Sequence, residues 1–142
     1  MNQQRSVWSR PGEDWPVFLG PTGNGRSELR GMDVPWPETG LKVCWSIELG
    51  EGYCGPAVSK GCAVVFDRIA GDERVRCLKA ETGEVLWEKV SPTGYVDMFG
   101  YDGGPRSSPI LCDGHVITYG AEGLLSCRQL VDGSLQWKIE TG

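Results

Sequence analysis

The densest grouping of side chains able to do chemistry lies between residues 91 and 106, Ser-Pro-Thr-Gly-Tyr-Val-Asp-Met-Phe-Gly-Tyr-Asp-Gly-Gly-Pro-Arg. Tyr95, Asp97, Tyr101, Asp102 and Arg106 bring phenols, carboxylates and a guanidinium together in one stretch without hydrophobic periodicity. Connections of this length in a compact domain are usually functional or disordered. Two roles are open for these five residues. They bind a ligand or partner, or they pack locally, with Tyr or Phe capping a neighbouring element and Arg106 tying the crossover.

Other constellations are weaker. Gly50-x-Gly52-x-x-Gly55 satisfies the dinucleotide fingerprint as a string. That fingerprint works only where the last glycine opens a helix whose N-terminus receives the pyrophosphate, and here Pro56 and a strand follow. A turn between strands is the simpler reading. Cys54 and His115 could form a nucleophile and base, but no orienting acid or oxyanion motif accompanies them. Six cysteines (Cys44, Cys54, Cys62, Cys77, Cys112 and Cys127) include no pair at C-x2-C spacing, and His115 is the only histidine, which argues against structural zinc. No catalytic residue and no metal ligand is assigned. Arg74, Arg76 and Arg128 read as a solvated strand face.

Charge and hydropathy exclude some partners. A formal net charge of −5 with no basic stripe does not suit nucleic acid. No apolar run approaches the ~18 residues of a membrane span. The first ten residues carry no apolar core of a secretory signal, so either the protein is cytosolic or its true start lies upstream.

The elements that must hold these residues are legible as a repeat. Setting Trp87 on Trp137 also superposes Gly83 on Gly133, Cys77 on Cys127, Val75 on Leu125 and Val85 on Leu135. A register three residues longer superposes Pro56 on Pro109, Gly61 on Gly114, Val64 on Ile117 and Phe66 on Tyr119. The difference falls between Asp67 and Arg74, in a polar stretch of the kind a surface hairpin tolerates. Each unit reads as four strands, Gly55 to Ser59, Cys62 to Asp67, Arg74 to Ala80 and Glu84 to Val90, then Ser107 to Cys112, His115 to Tyr119, Leu124 to Leu130 and Ser134 to Ile139. Asp113-Gly114 and Asp132-Gly133 supply Asx-Gly hairpin turns. Cys77 and Cys127 fall inside strands, where a thiol behaves as a small core residue. With 21 glycines in 142 residues, about twice the usual ~7 %, turns are too dense for helices of ordinary length. The fold class is all-β.

Four antiparallel strands recurring at about 50 residues is the pattern of a β-propeller blade. Kelch and WD repeats fit less well, since no Trp-Asp pair occurs. The run Ala80-Glu81-Thr82-Gly83-Glu84-Val85-Leu86-Trp87 after Cys77-Leu78 resembles the pyrroloquinoline quinone (PQQ) repeat family, whose blades end in Ala-x-Thr-Gly-x-x-x-Trp. Asp14-Trp15-Pro16-Val17-Phe18-Leu19-Gly20-Pro21 is similar to the entry segment of exported bacterial members. Lys79 and Gln129 replace the usual Asp after Leu, and the second unit reads Leu130-Val131-Asp132-Gly133.

The resemblance implies a division of the chain. Residues 1–40 form an irregular entry segment, 41–50 the outer strand of the closing blade, 51–90 the first complete blade, 91–106 an interblade loop and 107–142 the second blade. Gly83, Trp87, Gly133 and Trp137 are structural repeat positions. A closed ring takes roughly 4–8 blades, so the expectation is an N-terminal fragment, whose partners are other blades of a longer chain and, beyond them, protein partners. The family also implies export or a periplasmic setting. Its quinoprotein members hold PQQ with calcium between Glu, Asn and Asp ligands, often beside adjacent cysteines, and none of these features carries over by motif here. Many other members are scaffolds that bind no quinone. The expected function is a non-catalytic binding or interaction scaffold, the alternative being part of a PQQ- and calcium-dependent alcohol or sugar dehydrogenase.

Overall fold

A computed structural model describes residues 12–31 and 35–142, so the expectation about residues 1–10 lies outside them. Two four-stranded antiparallel sheets follow one another in the chain. The first contains β1 (Ala57–Ser59), β2 (Cys62–Ile69), β3 (Asp72–Lys79) and β4 (Val85–Pro92). The second contains β5 (Ile110–Cys112), β6 (His115–Tyr119), β7 (Leu124–Gln129) and β8 (Leu135–Glu140). In both, spatial order equals chain order. Among the described residues no helix is long and apolar enough to cross a membrane.

Turn chemistry explains the meander. Lys60-Gly61, Ala70-Gly71 and Asp113-Gly114 all have positive φ at both positions, the type I′ geometry whose twist matches that of paired strands. The duplication extends to irregularities, because the ladders of β3 with β4 and of β7 with β8 slip at Cys77/Leu78 and at Cys127/Arg128, equivalent positions of the two units. The three extra residues of the first unit do not form a loose loop. They lengthen the β2–β3 ladder by the pairs Arg68↔Glu73 and Ile69↔Asp72, closed by Ala70-Gly71.

The main core lies between the two sheets. Val64, Phe66, Val75, Cys77 and Trp87 of the first pack with Leu111, Val116 and Leu130 of the second. Trp87 is the joint. Its indole Nε1 donates to Leu130 O at 2.8 Å, and its ring lies on Gly133, where an added Cβ would come within 2.6 Å of Cε3. Trp45 repeats the arrangement one unit earlier, donating to Ala80 O at 2.9 Å and lying on Gly83. In each case the accepting carbonyl stands three residues before the glycine. Trp137, the third of the series, is 42 % exposed against 8 % for Trp87.

The outer strand expected over Lys42 to Leu49 has the packing of a strand but not its ladder. Residues 41–50 belong to neither sheet, while Trp45 and Ile47 cover Ala63, Val65 and Leu78. Among the described residues no strand pairs with this segment. The solvated face expected for Arg74, Arg76 and Arg128 is also corrected: Arg76 is 6 % exposed and the other two are half-buried. The reason is Asp67 on the same face, which accepts a bidentate pair from Arg74 (Nε 2.9 Å, Nη2 2.6 Å), a bond from Arg76 Nη2 (3.1 Å) and the Gly50 N–H (2.8 Å). Desolvation works to raise the Asp67 carboxyl. The Arg74 bond, the Gly50 N–H and the two positive charges outweigh it and hold the group below its ordinary value.

The entry segment staples the two sheets at their first strands. Trp15 exchanges backbone hydrogen bonds with Val58 of β1 (2.7 and 2.8 Å), and Pro16 O accepts Leu111 N of β5 (2.8 Å). Asp14 takes the Ser59 hydroxyl (2.7 Å) and the Lys60 N–H (3.1 Å), which ties the β1–β2 turn to the same segment.

Candidate functional site

The connection from β4 to β5 is built around one carboxylate. Asp97 Oδ2 accepts the N–H groups of Phe99 (3.0 Å) and Tyr101 (2.8 Å), folding residues 97–101 into a tight bend. Its Oδ1 takes Arg106 Nη2 at 3.0 Å and the Tyr95 hydroxyl at 3.3 Å. The Tyr101 N–H first, then the Phe99 N–H, the Tyr95 hydroxyl and the Arg106 charge together outweigh desolvation and hold Asp97 below the ordinary carboxylate value.

Arg106 closes the other end of the bend. Its guanidinium donates to the Tyr95 hydroxyl (3.2 Å) and Asp102 O (3.3 Å) and lies over the rings of Tyr95 (5.3 Å) and Tyr53 (5.9 Å), within cation–π range. Asp102 turns its own carboxylate to the Gly104 N–H at 2.7 Å. From below, Arg68 Nη1 donates to Tyr95 O (2.8 Å) and Gly103 O (2.9 Å). A Cβ on Gly103 would come within 2.5 Å of that nitrogen, so a side chain there would displace the Arg68 guanidinium. Glu122 anchors the start of the loop through Thr93 Oγ1 (3.1 Å) and Gly94 N (3.0 Å).

The structure therefore brings Tyr95, Asp97 and Arg106 into direct contact and adds Asp102 through its backbone. Tyr101 contributes its N–H to the cluster while its ring is 70 % exposed. Beside that ring Val96, Met98 and Phe99 are 78–90 % exposed, forming an apolar tip on a polar base. An open hollow of about 640 Å³ runs under the tip, lined by Glu51, Arg68, Tyr95, Asp97 and Tyr101.

Tyr53 and Arg68 are the site residues that sequence reasoning missed. A signal for Tyr53 existed: the longer repeat register that puts Pro56 on Pro109 also puts Tyr53 on Arg106, and the two equivalent residues stand side by side. Nothing comparable marks Arg68, which lies in the three-residue insertion. The other constellations are separated. Cys54 donates its thiol to Pro105 O (3.2 Å) and Ser107 O (3.0 Å), whereas His115 Nε2 faces Gln129 (3.3 Å). Burial first, then the Glu73 and Asp67 charges, push the Cys54 thiol up to about 12, the wrong direction for a nucleophile. Gly50 to Gly55 opens no helix; Glu51 instead bridges to Arg68, and each N–H donates to the other's carbonyl at 2.8 Å. Among the described residues no three His, Cys, Asp or Glu side chains converge as metal ligands.

No protein-family model matches the chain, and no curated protein matches it. Solved structures do. The quinohemoprotein alcohol dehydrogenase from Comamonas testosteroni superposes on 96 % of the chain with a TM-score of 0.64 at 20 % identity. A europium-containing methanol dehydrogenase superposes on 71 % with a TM-score of 0.55 at 15 % identity. BamB from Moraxella catarrhalis gives a TM-score of only 0.41 over 66 % of the chain at 19 % identity, too loose to carry an argument. The chain spans 20 % of the first of these structures and 18 % of the second. Likeness at these identities speaks for fold and not for activity. The two open four-stranded antiparallel sheets have the fold of β-propeller blades.

Proposed function

We propose that these blades belong to a PQQ-like propeller acting as a non-catalytic interaction scaffold, with the loop between β4 and β5 as a contact element. One observation carries this reading. The charged groups of the loop are engaged with each other, whereas Val96, Met98, Phe99 and Tyr101 are turned to solvent. Aromatic residues and methionine are enriched where proteins meet, and a prefolded loop loses little entropy on binding.

The alternative is part of a PQQ- and calcium-dependent dehydrogenase, which the names of the superposed structures favour. The residues present do not fit that group. Calcium takes ~6–8 oxygen ligands from converging loops, but Asp97 is engaged by two N–H groups, a hydroxyl and Arg106, and Asp102 by Gly104 N. A longer chain with further blades, the closing-blade role of residues 41–50 and a periplasmic or exported setting belong to the same proposal.

The test is reconstitution of the full-length protein with PQQ and calcium, followed by a dye-linked alcohol and sugar dehydrogenase assay. The scaffold reading expects no quinone-dependent dye reduction and no quinone-dependent rise in Tm. Turnover that requires both quinone and calcium would replace it with the dehydrogenase reading.

A further inference from the structure

One stretch of the seam between the blades is lined by charged and hydroxyl side chains, where β3 and β4 face β6 and β7. Glu73, on the lengthened β2–β3 hairpin, is 5 % exposed. Across from it stand Thr118 of β6 and Ser126 of β7, each also 5 % exposed. These two are register partners, so their hydroxyls sit side by side on one face. Glu73 reaches the second blade by passing Gly120, where an added Cβ would lie 2.1 Å from Oε2, and its Oε1 accepts the Ala121 N–H at 2.6 Å. That single bond leaves most of the acceptor capacity of a carboxylate unused.

Glu73, Thr118 and Ser126 line one small cavity with Lys89, Ser91 and Arg128. Arg128 directs Nη1 away from it, to Gly133 O at 3.1 Å. The Thr118 and Ser126 hydroxyls line the cavity, whereas the fully buried side-chain atom left without a partner among the described residues is Arg76 Nε. The cavity measures about 10 Å³, close to the ~10–15 Å³ that admits one water and too small for a larger guest. A cavity of this size lined by two hydroxyls and a carboxylate with spare lone pairs suits a water with ~3 polar neighbours.

We infer that this cavity is a binding site for a single ordered water that bridges the Glu73 carboxylate of the first blade to the Thr118 and Ser126 hydroxyls of the second. The water donates to the carboxylate and to one hydroxyl and accepts from the other. Glu73 is then coupled to the neighbouring blade beyond the reach of its own side chain. The three residues added to the first unit supply the polar half of the joint, as Trp87 supplies the apolar half.

The test is a double-mutant cycle in the full-length chain, Glu73→Gln against Thr118→Val and Ser126→Ala, read by urea unfolding, with a crystal structure of the unsubstituted protein at better than about 1.8 Å. A bridging water predicts a density peak within hydrogen-bond distance of all three side chains and non-additivity of roughly five-fold or more in the folding equilibrium. An empty seam would overturn the inference, as would the Lys89 ammonium standing in the water's place. Additive effects with Thr118→Val neutral or stabilising would do the same. The density criterion is read on the unsubstituted protein, so it stays usable if the variants fail to fold.

Discussion

Glu73 and Asp97 are carboxylates with opposite fates, and the difference is their donors. Burial pushes Glu73 above its ordinary value; the Ala121 N–H and Arg68 pull the other way and Glu122 adds to the rise, while Lys89 and Arg128 stand on the far side of the cavity. A raised folded value means that the native state binds the proton more readily than the unfolded chain. The stability Glu73 contributes is therefore fully present below the unfolded value of about 4.3 and is lost as pH rises through the folded value. Glu73→Gln should flatten that fall in a series of thermal melts from pH 4 to 8, leaving Tm equal to or above that of the parent at pH 8. Asp97 is the reverse case. Its folded value is depressed, so its contribution is present above the unfolded value and lost as pH falls through the folded one. Asp97→Asn should speed hydrogen exchange at the Phe99 and Tyr101 amides with little change in Tm, and the unsubstituted loop should loosen in the same way on acidification. Unchanged exchange at those two amides would show that the carboxylate does not hold the bend.

At the scale of elements, the strands, their hairpins and the repeat were legible because period-two alternation and Asx-Gly or Lys-Gly turns are local signals. His115 to Tyr119 was read with its observed limits. The neighbours were displaced by up to three residues, chiefly where β1 and β5 begin only after Pro56 and Pro109. What could not be read was tertiary. Arg74 and Arg76 alternate with Val75 and Cys77 as solvent-facing residues would, and only the buried Asp67 opposite them makes that face an interior one. The five loop residues were visible as a composition, whereas their mutual bonding depends on Tyr53 and Arg68, which lie in other elements. Ala70 is the weak point of the first hairpin. It holds φ at 51°, where a Cβ is unfavourable, at the first position of a type I′ turn that prefers asparagine or glycine. Ala70→Asn should stabilise the chain by about 0.5–1 kcal/mol in urea unfolding without altering the fold. A loss of stability would mean that the turn is not of this type.

In the whole molecule, the main core is where one blade meets the next. Trp45 on Gly83 and Trp87 on Gly133 are the same joint used twice, with the indole N–H on a carbonyl and the ring on a glycine that has no Cβ to obstruct it. Burying an indole of this size in a hydrogen-bonded setting is among the larger single contributions available to a small β structure. The entry segment, the Trp87 joint and the Glu73 site together bind the blades at their first strands, across the apolar seam and at the polar pocket. The loop carrying Tyr95, Asp97 and Arg106 is fastened on top of this frame through Arg68, so its exposed tip is presented by a rigid base. The blade joint can be tested against an internal control, because Gly114 has nearly the same φ as Gly133 (77° and 72°) but nothing within 4 Å of an added Cβ. Backbone strain on substitution by alanine, roughly 1–2 kcal/mol, is then common to both positions. The most direct measurement is the urea stability of Gly133→Ala beside that of Gly114→Ala. Docking of Trp87 on Gly133 predicts that the first loses about 1–3 kcal/mol more than the second, the cost of overpacking; equal losses would contradict it.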